Sequence, residues 1–153
     1  MDIKLLSQCK EYESQVVRWL WKEWGNEKNF KRYEMIIQHS MDPDNLPQTY
    51  VAIEDGKAVG TVGLWRCDLM SRQDLFPWLA SLYVDPAYRS RGIGKKLQKF
   101  IVNYCKEKKY DKVYLYTDLV DYYEATGWKL MDYGWTEDME KVNIYQYNLE
   151  QGE

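Results

Sequence analysis

Hydrophobic residues in the first forty positions recur with the spacing of helices. Val16, Trp19, Leu20 and Trp24 share one helical face, which predicts a buried stripe, and Gly25 ends that helix. The same spacing predicts a second helix through Phe30, Tyr33, Ile37 and Met41, closed by Asp42-Pro43. A short strand at Ile3–Leu6 precedes both helices.

From residue 49 onward the pattern becomes that of strands. Thr49–Ile53 and Ala58–Trp65 are rich in β-branched and aromatic residues, and Asp55-Gly56 between them indicates a hairpin. After a polar loop, Trp78–Val84 is predicted as a third strand of this region, ended by Asp85-Pro86. Gly92–Lys108 has the apolar stripe of an amphipathic helix.

The rest of the chain predicts a short helix between further strands. These elements are a strand at Lys112–Thr117, a helix at Leu119–Thr126 with Gly127 as its left-handed cap, and strands at Trp128–Tyr133 and Val142–Leu149. The order is therefore β-α-α-β-β-β-α-β-α-β-β, which predicts one α/β domain over residues 1–153. We expect a mixed, mostly antiparallel sheet with one parallel crossover at the long helix.

Composition and charge exclude several classes of protein. The chain has 153 residues and a formal net charge of −3, which gives no support to nucleic-acid binding. Its three cysteines are widely spaced, and its single histidine, His39, lies in a predicted helix, so we expect neither disulfides nor a metal site. No apolar run has the length of a signal peptide or membrane span, and we expect a soluble, cytoplasmic protein.

Candidate chemistry concentrates where Trp78–Val84 leads into the long helix. The loop Arg89-Ser90-Arg91-Gly92-Ile93-Gly94 opens directly into that helix, and Lys95 and Lys96 follow. The first N–H groups of a helix lack carbonyl partners, and glycines let an anion approach the backbone closely. This pattern predicts a pyrophosphate cradle. A Rossmann fingerprint is excluded because Leu97 stands where its third glycine belongs, and a Walker A loop because only Ile93 separates the glycines.

Two motifs together resemble those of the GCN5-related N-acetyltransferase (GNAT) family. Arg89–Gly94 resembles the family's R/Q-x-x-G-x-G/A motif, and Tyr123-Glu124-Ala125-Thr126-Gly127-Trp128 resembles its second landmark, commonly Y-E-K-x-G-F. The resemblance implies the family's fold, in which a bulge splays the central parallel strand pair to admit CoA. It also implies acetyl-CoA as cosubstrate, an amine as acceptor and no metal, and it leaves a homodimer open.

The resemblance also implies roles for individual residues. Backbone amides of Arg91–Gly94, helped by Arg89, would hold the CoA pyrophosphate. Backbone groups of Leu82, Tyr83 and Val84 would hold the pantetheine, and the N–H of Val84 would polarise the thioester carbonyl. Tyr123 matches the general acid that protonates the departing thiolate, with its neighbour Tyr122 as the alternative.

The general base and the acceptor site are less well determined. Trp78–Val84 contains no carboxylate, so the base is open among Asp118, the weaker candidates Asp68 and Asp74, and a water chain. Trp21 lies off the buried stripe of the first helix and is a candidate for an exposed ring facing the acceptor. A non-catalytic acyl-CoA sensor on the same fold, or a scaffold that binds no CoA, are the alternatives to an enzyme.

Overall fold

The computed structural model describes residues 1–150, which form one mixed seven-stranded sheet with helices. The strands are β1 Asp2–Leu5, β2 Gln48–Glu54, β3 Lys57–Trp65, β4 Trp78–Val84, β5 Lys112–Thr117, β6 Lys129–Trp135 and β7 Lys141–Asn148. The α-helices are α1 Glu13–Trp24, α2 Phe30–Gln38 and α3 Ile93–Glu107. The strand order is β1-β2-β3-β4-β5-β7-β6, which confirms the predicted α/β class.

Contacts divide the chain into two compact units. The first comprises Met1–Leu64 and Ser81–Gln98, and the second comprises Trp65–Ala80 and the described chain from Lys99 onward. Both β4 and α3 therefore contribute residues to each unit.

In the first unit, β1 and β2 pair antiparallel, and α1 and α2 form a core with β2 and with the turn that follows β1. Their shared core includes Leu6, Val16, Leu20, Ile37 and Val51, all of which are almost completely buried. The predicted hairpin between β2 and β3 is confirmed, and its turn residues Asp55 and Gly56 have φ values of 51° and 75°. Such left-handed values match the twist of the flanking strands, which is why this dipeptide favours hairpins.

In the second unit, β7 pairs antiparallel with both β5 and β6. A compact core forms under the loop that joins β3 to β4, where Leu69, Leu75 and Trp78 pack against Val142 and Ile144 of β7. The indole N–H of Trp78 donates to the Leu75 carbonyl at 2.8 Å, so this fully buried ring also satisfies its one polar group.

The predicted parallel crossover lies between β4 and β5. The two strands pair in parallel at Trp78 opposite Tyr114, and the Tyr114 N–H donates to the Pro77 carbonyl at 3.0 Å. Among residues 1–150, this is the one register pair of the parallel ladder, whereas β5 pairs with β7 from Lys112 to Thr117.

Several local predictions were wrong. The second helix ends at Gln38 rather than at Met41, which instead forms an isolated bridge with Gln48. Trp24, at the last position of α1, is 51% exposed because the buried face ends one turn earlier, at Leu20.

The short helix predicted at Leu119–Thr126 is a 3₁₀ turn of Tyr123–Thr126. Asp121 has a φ of 59°, which a right-handed helix cannot include. Gly127 does adopt the predicted left-handed conformation, with a φ of 98°. Across residues 1–150, none of the helices combines the length and the apolar character that crossing a bilayer requires.

Candidate active site

The start of α3 presents main-chain donors to solvent. The first helical hydrogen bond runs from the Lys96 N–H to the Gly92 carbonyl at 3.1 Å, so the N–H groups before Lys96 have no partner within the helix. Ser90 and Gly92 have φ values of 65° and 77°, which turn the loop sharply ahead of the helix. A Cβ atom built on Gly92 meets nothing within 4 Å, so the space beside it is open.

This helix start is strongly basic. Arg89, Arg91, Lys95 and Lys96 are exposed, and the first turn of α3 contains no acidic residue. Positive side chains oppose the helix dipole at this end, where acidic residues or bound anions are stabilising. The arrangement therefore suits an anion held by both the backbone and the side chains.

Two arginines of the loop are partly engaged by the protein itself. The Arg89 Nε donates to the Val84 carbonyl at 3.0 Å, and its guanidinium lies 5.6 Å from the centre of the Tyr83 ring. The Arg91 guanidinium lies 5.2 Å from the centre of the Tyr88 ring. These contacts fix the loop against the end of β4. The buried side chain of Ile93, at 4% exposure, leaves only its N–H for a ligand.

The main-chain N–H and C=O groups at the end of β4 point alternately to the two edges of the strand. The Asp85 N–H donates to the Val59 carbonyl of β3 at 2.9 Å. Because successive peptide groups of a strand point to opposite edges, the N–H groups of Leu82 and Val84 point away from β3, whereas that of Tyr83 points toward it. Of the three residues expected to hold pantetheine, only Leu82 and Val84 thus present main-chain groups on the edge away from β3.

A residue that the sequence analysis did not single out lies just before this segment. Ser81 has a φ of 48° in the middle of β4, and its Oγ is buried with no hydrogen-bond partner among residues 1–150. A left-handed serine inside a strand produces an irregularity of the bulge type. The sequence gives no signal for it, because serine has no special preference for positive φ.

Tyr123 belongs to the second unit, whereas Leu82–Val84 and Arg89–Gly94 belong to the first. The Tyr123 side chain is 9% exposed and its ring contacts those of Tyr122, Trp128 and Tyr145, at centroid distances of 4.8, 6.3 and 6.0 Å. Burial, with a smaller contribution from Tyr122, raises the pKa of Tyr123 to about 12. Its phenol therefore keeps its proton at neutral pH. Tyr122 is 46% exposed.

Comparison with known families decides the relationship of this chain. Residues 14–128 match the family model described as the acetyltransferase (GNAT) family, which is more than half of the chain. The chain belongs to this family. It is accordingly an acyltransferase by family. A search of curated proteins gave no match.

Solved structures of the same fold cover almost the whole chain. An aminoglycoside 6'-N-acetyltransferase complexed with coenzyme A is 14% identical, with 97% of each chain covered and a TM-score of 0.74. The aminoglycoside 6'-N-acetyltransferase of Enterococcus faecium is 15% identical, again with 97% of each chain covered, at a TM-score of 0.73. A GNAT-family acetyltransferase of Staphylococcus aureus Mu50 is 24% identical over 97% of this chain and 99% of that one, with a TM-score of 0.68. At these identities the likeness shows the fold alone.

The three candidate acids have different environments in this GNAT-family chain. Asp74 is exposed and forms an ion pair with Arg72, whose Nη2 lies 2.9 Å from the carboxylate, and this hydrogen bonding lowers the Asp74 pKa. Asp118 is exposed. Asp68 is half-buried, and desolvation raises the pKa of its carboxyl to about 8. The carboxylate form of Asp68, which a general base requires, therefore becomes populated as the pH rises toward about 8.

The loop that carries Asp68 is held firmly within the second unit. Besides its pairing with Asp74, Arg72 donates to the Asp132 carboxylate at 3.0 Å and to the Tyr133 carbonyl at 3.2 Å. The Trp135 N–H donates to the Ser71 Oγ at 3.0 Å. These bonds tie the loop to β6 and restrict the movement of the segment next to Asp68.

Trp21, the candidate for an acceptor-facing ring, and Cys105 of α3 both have structural explanations. Trp21 is half-buried: its indole N–H donates to the Asn26 carbonyl at 2.6 Å and its ring meets that of Phe30 edge-on at 5.2 Å. This ring therefore braces the connection between α1 and α2. Cys105 is completely buried in α3, and burial raises the pKa of its thiol to about 12, which disfavours a nucleophilic thiolate.

Proposed function

We propose that this chain is an acetyl-CoA-dependent N-acetyltransferase that acts on a primary amine of a small molecule or peptide. One N-acetyltransferase domain over residues 1–153 would carry the activity. The amine would attack the thioester directly, with both substrates bound in a ternary complex. The observation that supports this proposal best is the basic start of α3, where unpartnered N–H groups, open space at Gly92 and four cationic side chains coincide.

The first unit contains the residues that we propose for the phosphate end and arm of CoA. We propose that the N–H groups of Arg91–Gly94 bind the pyrophosphate, with the remaining donors of the Arg89 guanidinium and the Ser90 segment beside them. Leu82, Tyr83 and Val84 would hold the pantetheine arm. The edge assignment favours Leu82 and Val84 for main-chain bonds and leaves the Tyr83 ring as packing for the loop.

Acetyl-CoA, when bound, supplies an acetyl group already activated as a thioester. The N–H of Val84 is the proposed donor to its carbonyl oxygen, and the N–H of Leu82, on the same edge, is the second candidate. The Tyr123 hydroxyl is the proposed donor of the proton that the leaving sulfur takes up. Its raised pKa supports this role, since the phenol is protonated at every pH where the enzyme would work.

We propose Asp68 as the general base that removes a proton from the acceptor ammonium. Its half-buried carboxyl is held on a braced loop, and its raised pKa brings its basicity nearer to that of an amine. Asp74 is unsuitable because Arg72 already neutralises it. Asp118 and a water chain stay as alternatives.

The acceptor is defined here only as an amine. Two of the similar structures are aminoglycoside acetyltransferases, and one of them contains coenzyme A, which supports a polyamino acceptor as the first class to test. The acidic residues of the second unit are compatible with a cationic acceptor.

The test is an acetylation screen with mass-spectrometric readout over aminoglycosides, polyamines, amino acids and peptide N-termini. We expect at least one amine to gain an acetyl group while free CoA thiol is released in equal amount. Gly92→Glu is the matched negative control, because it places bulk and negative charge in the proposed cradle. Binding of acetyl-CoA without transfer to any amine would favour the sensor alternative, and absence of binding would refute the cradle.

A further inference from the structure

Two unfavourable features coincide at Ser81. A non-glycine residue with a φ of 48° inside a strand is strained. Its hydroxyl is also buried without a partner among residues 1–150, and such groups are rare in folded proteins. Glycine would remove both costs, yet the chain has serine there. A hydrogen bond to a bound ligand would satisfy this hydroxyl.

The position of Ser81 in the first unit indicates what that partner is. β4 runs from Trp78 to Val84 and leads directly into the loop that begins α3. A ligand anchored at the start of α3 and extended back along β4 would pass Val84 and then Leu82 before Ser81. For acetyl-CoA, anchored by its pyrophosphate, the far end is the acetyl thioester.

We propose that the Ser81 hydroxyl donates a hydrogen bond to the thioester carbonyl oxygen of acetyl-CoA. This inference rests on the proposed function and makes Ser81 a catalytic residue beside the main-chain donor. It also selects between the two candidate N–H groups. Leu82 directly follows Ser81, whereas Val84 lies two residues farther along, roughly 7 Å away at the rise of a strand. The thioester carbonyl would then meet Leu82, and Val84 would hold the arm.

The left-handed conformation at Ser81 has a role in this arrangement. It interrupts the regular alternation of β4, and the proposal requires that the Ser81 hydroxyl and the N–H of Leu82 approach one oxygen atom. Donors fixed in this way before the reaction cost no reorganisation when negative charge develops on that oxygen, which is the property of an oxyanion hole.

The test compares Ser81→Ala and Ser81→Gly with the unmodified protein. Both variants lack the hydroxyl, but glycine accepts a φ of 48° without strain and so preserves the irregularity of β4. The first readout is the infrared carbonyl band of bound [1-¹³C]acetyl-CoA, which lies lower when the oxygen accepts a hydrogen bond. We expect the band to move to higher frequency in both variants.

The second readout is kinetic. We expect kcat, measured by thiol release with an amine found in the screen, to fall by about 10²-fold in both variants, at the lower end of the effect of losing one oxyanion donor. The Kd for CoA without the acetyl group, measured by calorimetry, should stay within about twofold, since Ser81 touches only the acyl end.

The possible failures are distinguishable. An unmoved carbonyl band in variants that bind acetyl-CoA would overturn the role of Ser81 and leave the proposed function intact. Loss of kcat in Ser81→Ala with normal kcat in Ser81→Gly would also overturn it, because only the backbone geometry would then matter. An unmodified protein that binds no acetyl-CoA would refute the proposed function and this inference together.

Discussion

The carboxyl of Asp68 gives a stability prediction that is independent of any substrate. Desolvation raises its pKa from 3.8 to about 8 in the folded protein. Above pH 4 the unfolded chain therefore ionises this group while the folded chain keeps it protonated until about pH 8. Ionisation of the unfolded state alone favours unfolding, so the contribution of Asp68 to stability is most favourable below pH 4 and declines as the pH rises to 8.

The magnitude follows from the size of the shift. A difference of about 4 pKa units corresponds to roughly 6 kcal/mol at 1.36 kcal/mol per unit. Asp68 is half-buried, and the solvent that reaches it lowers the cost of its charged form, so we halve this value to ~3 kcal/mol. Asp68→Asn keeps the shape of the protonated carboxyl and removes the titration. We expect the variant to be more stable than the unmodified protein by ~3 kcal/mol at pH 8 and about equally stable at pH 4.

The assay is urea denaturation of both proteins between pH 4 and pH 8, with Asp118→Asn as the control. Asp118 is exposed, and substitutions at such sites usually change stability by no more than about 0.5 kcal/mol. A difference between Asp68→Asn and the unmodified protein that does not grow with pH, or a variant that is less stable at pH 8, would refute the desolvation argument. If Asp68 is also the base, the same variant should lose the rise of kcat/KM toward pH 8 and about 10²-fold or more in activity.

Three further substitutions test other parts of the proposal. Tyr123→Phe should lower kcat by ~10²-fold with little change in the Kd for acetyl-CoA, and normal turnover would remove Tyr123 from the mechanism. In calorimetry, Gly92→Glu should weaken CoA binding at least ~10-fold more than Gly92→Ala. Both variants share the strain of a φ of 77°, but only the glutamate brings negative charge. Equal affinities of the two variants would place the pyrophosphate elsewhere. Gly127→Ala should destabilise the fold by about 1 to 3 kcal/mol in urea denaturation, because its φ is 98° and the new Cβ would lie 2.9 Å from the Tyr147 ring; an unchanged midpoint would contradict this.

The parts of this fold that the sequence predicted are those governed by local preferences. The turn at Asp55-Gly56 requires two residues with positive φ, and the helix cap at Gly127 requires one. The hairpin and the cap could therefore be recognised from residue type alone. The apolar stripe of α3 could likewise be recognised, because the helical spacing of its apolar residues is visible in the sequence itself. Helix ends were predicted less well. Trp24 fits the spacing of α1, but the core that would cover it stops at Leu20.

The motif at the start of α3 could be predicted because its chemistry resides in the main chain of consecutive residues. Spacing within Arg89–Gly94 is sufficient to place glycines, cations and a helix start together. The edge of β4 is different. The direction of each N–H group there follows from the hydrogen bond between Asp85 and Val59, two residues far apart in the chain. No local pattern states that register.

Ser81 was not predicted as a site residue, and Asp68 was only one of the weaker candidates for the base. The physical reason is the same for both. Neither residue type is unusual in its segment, and what distinguishes each is a cost imposed by the folded environment: a strained φ with an unpartnered hydroxyl at Ser81, and a desolvated carboxyl at Asp68. If folding were the only requirement, glycine in place of Ser81 and asparagine in place of Asp68 would remove these costs. Unfavourable local features that one substitution would remove, but that the chain retains, are typical of sites where binding or catalysis uses them. The two residues therefore carry the most specific hypotheses about the reaction.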